Sequence, residues 1–357
     1  MKPTDASQSD APERVPLMDR IASMTIDEKI GQLLIFGYET VEDAEAVIRD
    51  LKPGGVILFG RNIQSAQQTR SDISRRQAVA AESDGQPVPL LISIDQEGGR
   101  VSRLPAESGV FESARELGFR DDPSGTLAFG KRTAVALMDL GFNLDYAPVL
   151  DIDSNPLNPV IGDRSFGETA EGVTRHGLAM LAGLEAGGVI ACVKHFPGHG
   201  DTHVDSHIGL PVVSKSLADL EAFELLPFAA AIDAGAPMVM VAHLLIASMD
   251  DRPASLSPVL VDGLLRGKMR YQGVVITDDL TMGAIMEHYS LSEAAILAIE
   301  AGCDLLPVCH GTDKLRETQA ALVDAWRSGR LTDARIEQSV LRILQLKQKW
   351  LMADSRG

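Results

Sequence analysis

The sequence predicts an α/β fold, a single-domain TIM-type (β/α)8 barrel, and three observations predict it. Eight short, nearly continuous apolar runs recur along the 357 residues, the pattern of parallel strands buried on both faces. Longer amphipathic stretches alternate with them, which makes a βα unit repeated eight times. The chemistry-bearing polar residues gather at or just after the ends of the runs, where a barrel opens its site.

Taken in order, Thr25-Ile-Asp-Glu28 reads as a capping box opening an early helix, since a Thr hydroxyl and a Glu three residues on satisfy each other's backbone N–H groups. Leu33–Phe36 and Gly55–Phe59 are the first two strands, and Ser65–Ala81 the helix that follows. Pro89–Ile94 is the third strand, Gly125–Leu140 a helix, and Phe142–Pro148 the fourth strand. The helix Ala170–Ala186 leads to the fifth strand, Val189–His195, and Ser216–Ala234 to the sixth, Met238–Ala242. Gly273–Thr277, the helix Leu291–Ala301 and Asp304–Val308 complete the repeat, and Thr332–Leu351 is a closing helix. The alternative is a doubly wound open sheet. Against it, no strand is followed by a GxGxxG or GxxxxGK[ST] loop opening a helix.

Composition narrows the function classes. With 33 Lys+Arg against 50 Asp+Glu the formal net charge is −17, which argues against an electrostatic grip on nucleic acid or anionic lipid. Three cysteines, Cys192, Cys303 and Cys309, are too few for a disulfide framework and read as reduced thiols in a cytosol-like compartment. The expected domain organisation is a flexible polar tail over residues 1–14 and one catalytic barrel over 15–357. The leader carries no apolar segment of signal-peptide length, and no stretch approaches the roughly 20 apolar residues of a membrane span. A cytoplasmic protein, monomeric by default, is the expectation.

The richest segment is Lys194-His-Phe-Pro-Gly-His-Gly-Asp-Thr-His-Val-Asp-Ser-His207, which holds four of the chain's eight histidines, at 195, 199, 203 and 207. One reading is a metal cage of His and Asp ligands. Pro197, Gly198 and Gly200 oppose the continuous helix that a spacing of four would need. A second reading is a Gly-rich loop whose histidines fold against it. The third is acid/base chemistry on a mobile loop: Asp205 stands two residues from His207, close enough to fix its tautomer and raise its basicity.

A second constellation is Val274-Val-Ile-Thr-Asp-Asp-Leu-Thr-Met282, an apolar strand ending in two carboxylates. Asp279 is expected to cap the following helix, leaving Asp278 to face the pocket. A carboxylate facing an anomeric carbon serves as a nucleophile or as an ion-pair partner for an oxocarbenium-like transition state. The third set is Arg100, Arg103, Arg164 and Lys194, which with Asp95 resemble the hydrogen-bonding wall of a sugar pocket.

Four blocks, KHFPGHGDTHVDSH, NPVIGDRSFG, SIDQEGGRVSR and VVITDDLTM, together resemble glycoside hydrolase family 3, in particular its β-N-acetylglucosaminidases of the NagZ type, from about Thr25 to the closing helix. The resemblance implies a retaining double displacement with Asp278 as nucleophile. It also implies His207 as acid/base with Asp205 supporting it; no cofactor or metal is expected. Substrate contacts carry over to Asp95, Arg103, Arg164, Lys194 and His195. The implied substrate is an N-acetylglucosamine-containing saccharide or muropeptide, from which N-acetylglucosamine is released during wall recycling. Because the sequence ends soon after the eighth βα unit, it resembles the family's short, single-domain members. A phosphorylase on the same scaffold, a metal-dependent barrel hydrolase and a non-catalytic binding protein remain alternatives.

Overall fold

The computed structural model describes residues 16–82, 88–206 and 209–352; the expected tail over 1–14 lies outside the described residues. Eight parallel strands form one sheet: β1 (Leu34–Phe36), β2 (Gly55–Ile57), β3 (Leu91–Ile94), β4 (Leu144–Asp145), β5 (Ile190–Phe196), β6 (Met238–Val241), β7 (Val274–Thr277) and β8 (Leu306–Val308). Each strand pairs with its sequence neighbour, β8 also pairs with β1, and a parallel bridge between Ile276 and Leu305 joins β7 to β8. The sheet therefore closes on itself, which excludes the doubly wound alternative. Every run named in the sequence is a strand of this barrel, and the strand side chains are almost all buried.

The helices follow with small differences. Thr25 and Glu28 form the expected capping box on the helix Ile26–Gln32. Ala66–Ala81, Pro123–Leu140, Ala170–Ala186, Leu291–Ala301 and Asp333–Trp350 sit where periodicity puts them. The helix expected over Ser216–Ala234 is instead two, Leu217–Ala222 and Leu226–Asp233. Pro227 lies in the first turn of the second, where its missing N–H costs nothing and its ring stops the first helix from running on. A minor parallel pair, Val212–Val213 with Leu245–Ile246, lies outside the barrel and anchors the chain after the His-rich loop to the segment after β6. No helix among the described residues is long and apolar enough to cross a membrane.

At the N-terminal end of the barrel Asp304 is fully buried and joins three elements. It accepts the Val275 N–H at 3.0 Å, the Ser339 hydroxyl at 2.6 Å and Arg342 at 3.1 Å, and pairs with Arg266. Shared charge-assisted hydrogen bonds of this kind tie β7, β8 and the last helix into one unit. The opposite end is left to the loops that carry chemistry.

Candidate active site

The strand ends converge on one cavity of about 370 Å³. Of the residues singled out in the sequence, Asp95, Arg103, Arg164, Lys194, His195 and Asp278 line it. Asp205 is partly buried beside it, its carbonyl accepting the Gly209 N–H at 3.0 Å, while its neighbour Ser206 is in the lining. His207 lies outside the described residues. Arg100 is turned elsewhere: it bonds the carbonyls of Val160 and Ile161 and pairs with Asp163 at 3.0 Å, bracing the loop after β4.

The floor of the cavity is an ion network drawn from three strand ends. Lys194, on β5, places Nζ 2.6 Å from both Asp95 Oδ1 and Glu97 Oε1. Arg164 donates Nε and Nη2 to the two oxygens of Glu97, each at 2.8 Å, in the bidentate geometry that suits a guanidinium and a carboxylate. Burial alone would raise the Glu97 pKa, but the Arg164 and Lys194 charges overcome it and hold the carboxyl well below the usual range. Burial likewise lowers Lys194, and Asp95 with Glu97 more than reverses the shift. Glu97, Arg164 and Lys194 are therefore ionised at neutral pH.

Glu97 was not among the residues expected to carry the site, though it stands in the DQEGGR block. What brings it inward is the turn itself. Gly98 and Gly99 adopt φ of +94° and +54°, and a Cβ on Gly98 would lie 2.1 Å from the Glu112 carbonyl. Only glycine takes that conformation in that space. Gln96 completes the turn by accepting the Arg103 N–H at 2.8 Å and donating to Ser102 at 2.9 Å. The Arg103 side chain is left at the cavity wall with no ion-pair partner among the described residues.

His195 is oriented by Asp151, whose Oδ2 lies 2.6 Å from Nδ1. Asp151 is fully buried and also accepts the His199 N–H at 2.7 Å. Burial raises its pKa, and the neighbouring His195 and His199 bring the net shift below the ordinary value. A carboxylate on Nδ1 leaves Nε2 of His195 toward Arg164, 3.3 Å away, and the cavity.

The loop after β5 is held by its neighbours. Asn158 donates to the carbonyls of His199 and Gly200 at 2.8 and 3.0 Å, and Asn155 to that of Thr202 at 3.1 Å. His199 bonds Thr202 and Ser206 through its two ring nitrogens, at 2.8 and 3.2 Å, and His203 bonds Asn155 at 3.1 Å. Each of these two histidines is thus engaged by its own loop or the next.

His199 carries a pH prediction. Burial, then the His195 charge, pushes its pKa down to about 4. An unfolded His titrates near 6.5, so the unfolded chain binds the extra proton between about 6.5 and 4. The stability this neutral ring contributes is complete above pH 6.5 and is lost as pH falls toward 4. The melting temperature should decline from pH 7 to pH 5 with a slope that His199→Gln reduces; an identical slope in that variant would remove His199 as the cause.

Asp278 and Asp279 directly follow β7. The Asp278 N–H stays in the barrel ladder, bonding Val241 O at 2.9 Å, and its Oδ1 accepts the Asp279 N–H at 2.8 Å. Asp279 does not cap a helix, contrary to expectation: the next helix begins at Gly283, too far along the chain. Its carboxylate instead accepts the N–H groups of Thr281 at 2.9 Å and Cys309 at 3.1 Å, pinning the turn to the end of β8. His243, fully buried, fixes the same turn by donating Nε2–H to the Asp279 carbonyl at 2.9 Å, with Nδ1 2.7 Å from the Ser255 hydroxyl. Asp278 is thus set on a rigid strand end that projects into the cavity.

Comparison with known proteins agrees with this architecture. Residues 25–346 match the glycosyl hydrolase family 3 N terminal domain. The chain is 38% identical over 369 aligned positions to beta-hexosaminidase A of Pseudoalteromonas piscicida, covering 91% of this chain and 61% of that protein. It is 36% identical to the beta-hexosaminidase of Neisseria meningitidis serogroup C (strain 053442), covering 82% of this chain and 83% of that one. A solved glycoside hydrolase family 3 beta-N-acetylglucosaminidase from Paenibacillus sp. str. FPU-7 superposes with a TM-score of 0.91 at 42% identity, covering 94% of this chain and 64% of that chain. The chain thus spans under two thirds of the first and third of these proteins. A closed barrel with its ionised cavity at the strand ends, matched from Thr25 into the last helix, places this chain in glycosyl hydrolase family 3.

Proposed function

We propose that the chain is a retaining β-N-acetylglucosaminidase, a glycosidase that removes terminal N-acetylglucosamine from peptidoglycan-derived fragments in the cytoplasm. The observation that carries the reading is the joint presence, in one cavity, of Asp278 and the Asp95–Lys194–Glu97–Arg164 network. Relatives named beta-hexosaminidase support the choice of sugar.

In this mechanism the residues of the floor and wall hold the sugar hydroxyls: Lys194 donates, Asp95 accepts, and Arg103 reaches from the wall. Fixed charges of this kind bind without reorganising when the sugar distorts. Asp278 attacks the anomeric carbon and the glycosidic bond to the leaving oxygen breaks. His207, oriented by Asp205, gives that oxygen a proton. The same imidazole then takes a proton from water as water displaces Asp278 and releases the sugar. A histidine in that role stands in for the second carboxylate common in retaining enzymes.

The test is hydrolysis of a chromogenic β-N-acetylglucosaminide beside the matching β-glucoside, with and without inorganic phosphate and a chelator. Free N-acetylglucosamine, released strongly only from the acetylated sugar and indifferent to both additives, is the expected result. A sugar 1-phosphate would make the protein a phosphorylase, and loss of turnover on chelation a metal enzyme. His207→Ala should slow substrates with poor leaving groups by about 10²–10⁴-fold while sparing those whose leaving group needs no proton. Equal loss for both would remove His207 as the general acid.

A further inference from the structure

The cavity changes character from floor to rim. Lys194 and Glu97, at the floor, have side chains 2% and 3% exposed, whereas His310, also in the lining, is 54% exposed. His310 does not stand alone. Its ring stacks on Phe59, centroids 5.7 Å apart and planes 21° from parallel, and Phe59 is in the lining too. The two residues follow β8 and β2, on either side of β1.

This pair is braced from behind. The Arg61 guanidinium lies over the Phe59 ring, 4.6 Å from its centroid. The same group donates to the carbonyls of Tyr38 at 3.3 Å and Cys309 at 3.4 Å, so it ties the Phe59 turn to the residue before His310. Asn62 accepts the Phe59 N–H at 3.0 Å, and Asp279 holds the Cys309 N–H at 3.1 Å. The backbone that presents His310 is therefore fixed by the carboxylate next to Asp278.

We propose that Phe59 and His310 form the subsite for the leaving-group side of the substrate, stacking against the apolar face of a second pyranose ring. The proposal rests on the hydrolase reading above. A cavity of about 370 Å³ is near the small end for ligand sites, so one ring fills the floor and the next emerges past the rim, where the flat pair lies. A flat apolar face that covers part of a second ring takes apolar surface out of water, which makes the pair a selector for saccharide over small leaving groups.

The experiment compares N,N′-diacetylchitobiose with N-acetyl-β-glucosaminyl fluoride, which has no second ring and needs little protonation. The readout is the ratio of their kcat/KM values in the wild type, Phe59→Ala, His310→Ala and His310→Phe. The ratio should fall about five- to tenfold in both alanine variants and be restored in His310→Phe, which keeps a flat ring. His310 is exposed, so its variants test the subsite even if Phe59→Ala fails to fold. An unchanged ratio in His310→Ala overturns the proposal, and a fall in His310→Phe equal to that in His310→Ala overturns stacking. Wild-type protein that turns over neither donor removes the hydrolase reading and this subsite with it.

Discussion

Asp278→Ala should abolish turnover of a chromogenic β-N-acetylglucosaminide, with kcat falling by more than about 10⁴-fold, while the fold survives. The carboxylate is carried by a strand whose backbone is fixed independently of its side chain, through the Asp278 N–H to Val241 O and the His243 contact to the Asp279 carbonyl. Truncation removes the proposed nucleophile and its bond to the Asp279 N–H but leaves these two backbone contacts in place, so circular dichroism and the melting temperature should stay close to wild type. Added azide should restore part of the rate from the unencumbered face and give a glycosyl azide of inverted configuration. A rate within tenfold of wild type in the alanine variant would end the assignment. Rescue with retained configuration would point to a different attacking group.

Glu97→Gln should be damaging in two ways at once. Glu97 is the common acceptor of Lys194 and both donating arms of Arg164, and its side chain is 3% exposed. The amide keeps the volume but offers one acceptor oxygen in place of two and removes the charge that balances two buried cations. Breaking a buried ion pair from one side costs about 3–5 kcal/mol, so urea unfolding should shift by that order. Turnover should fall as well, since Lys194 then keeps only the Asp95 carboxylate as a charged partner and is less firmly fixed at the floor proposed to hold the sugar hydroxyls. Because the Glu97 carboxyl sits well below the usual range, its stabilising contribution is present above the ordinary carboxylate pKa and is lost only as pH falls through the lowered value. Stability within about 1 kcal/mol of wild type would show that the network is not a unit.

Much of this fold was legible in one dimension. A strand buried on both faces has to be apolar throughout, so β5, β6 and β7 announce themselves as Val- and Ile-rich runs, and the residues just beyond them are polar because the barrel opens there. The capping box at Thr25 and Glu28 is equally local, since its partners are three residues apart. For the same reason Asp278 and Lys194 could be picked out as facing a pocket. The two-helix break near Pro227 was less clear, because apolar spacing continues across it while the backbone does not.

What the sequence could not determine is pairing across the ring. Glu97 meets Arg164 and Lys194, 67 and 97 residues further on, only because closure of the sheet brings the ends of β3, β4 and β5 around one opening. Asp151 becomes the partner of His195, and Asp279 the anchor of Cys309, for the same reason. Phe59 and His310 come together across β1 by the bridge between the last strand and the first. Periodicity and caps are properties of neighbours along the chain, and they fixed the strands and the ends that carry chemistry. Which charge holds which, and which ring lies on which, depends on angular position around a closed barrel, and only the tertiary structure decides that.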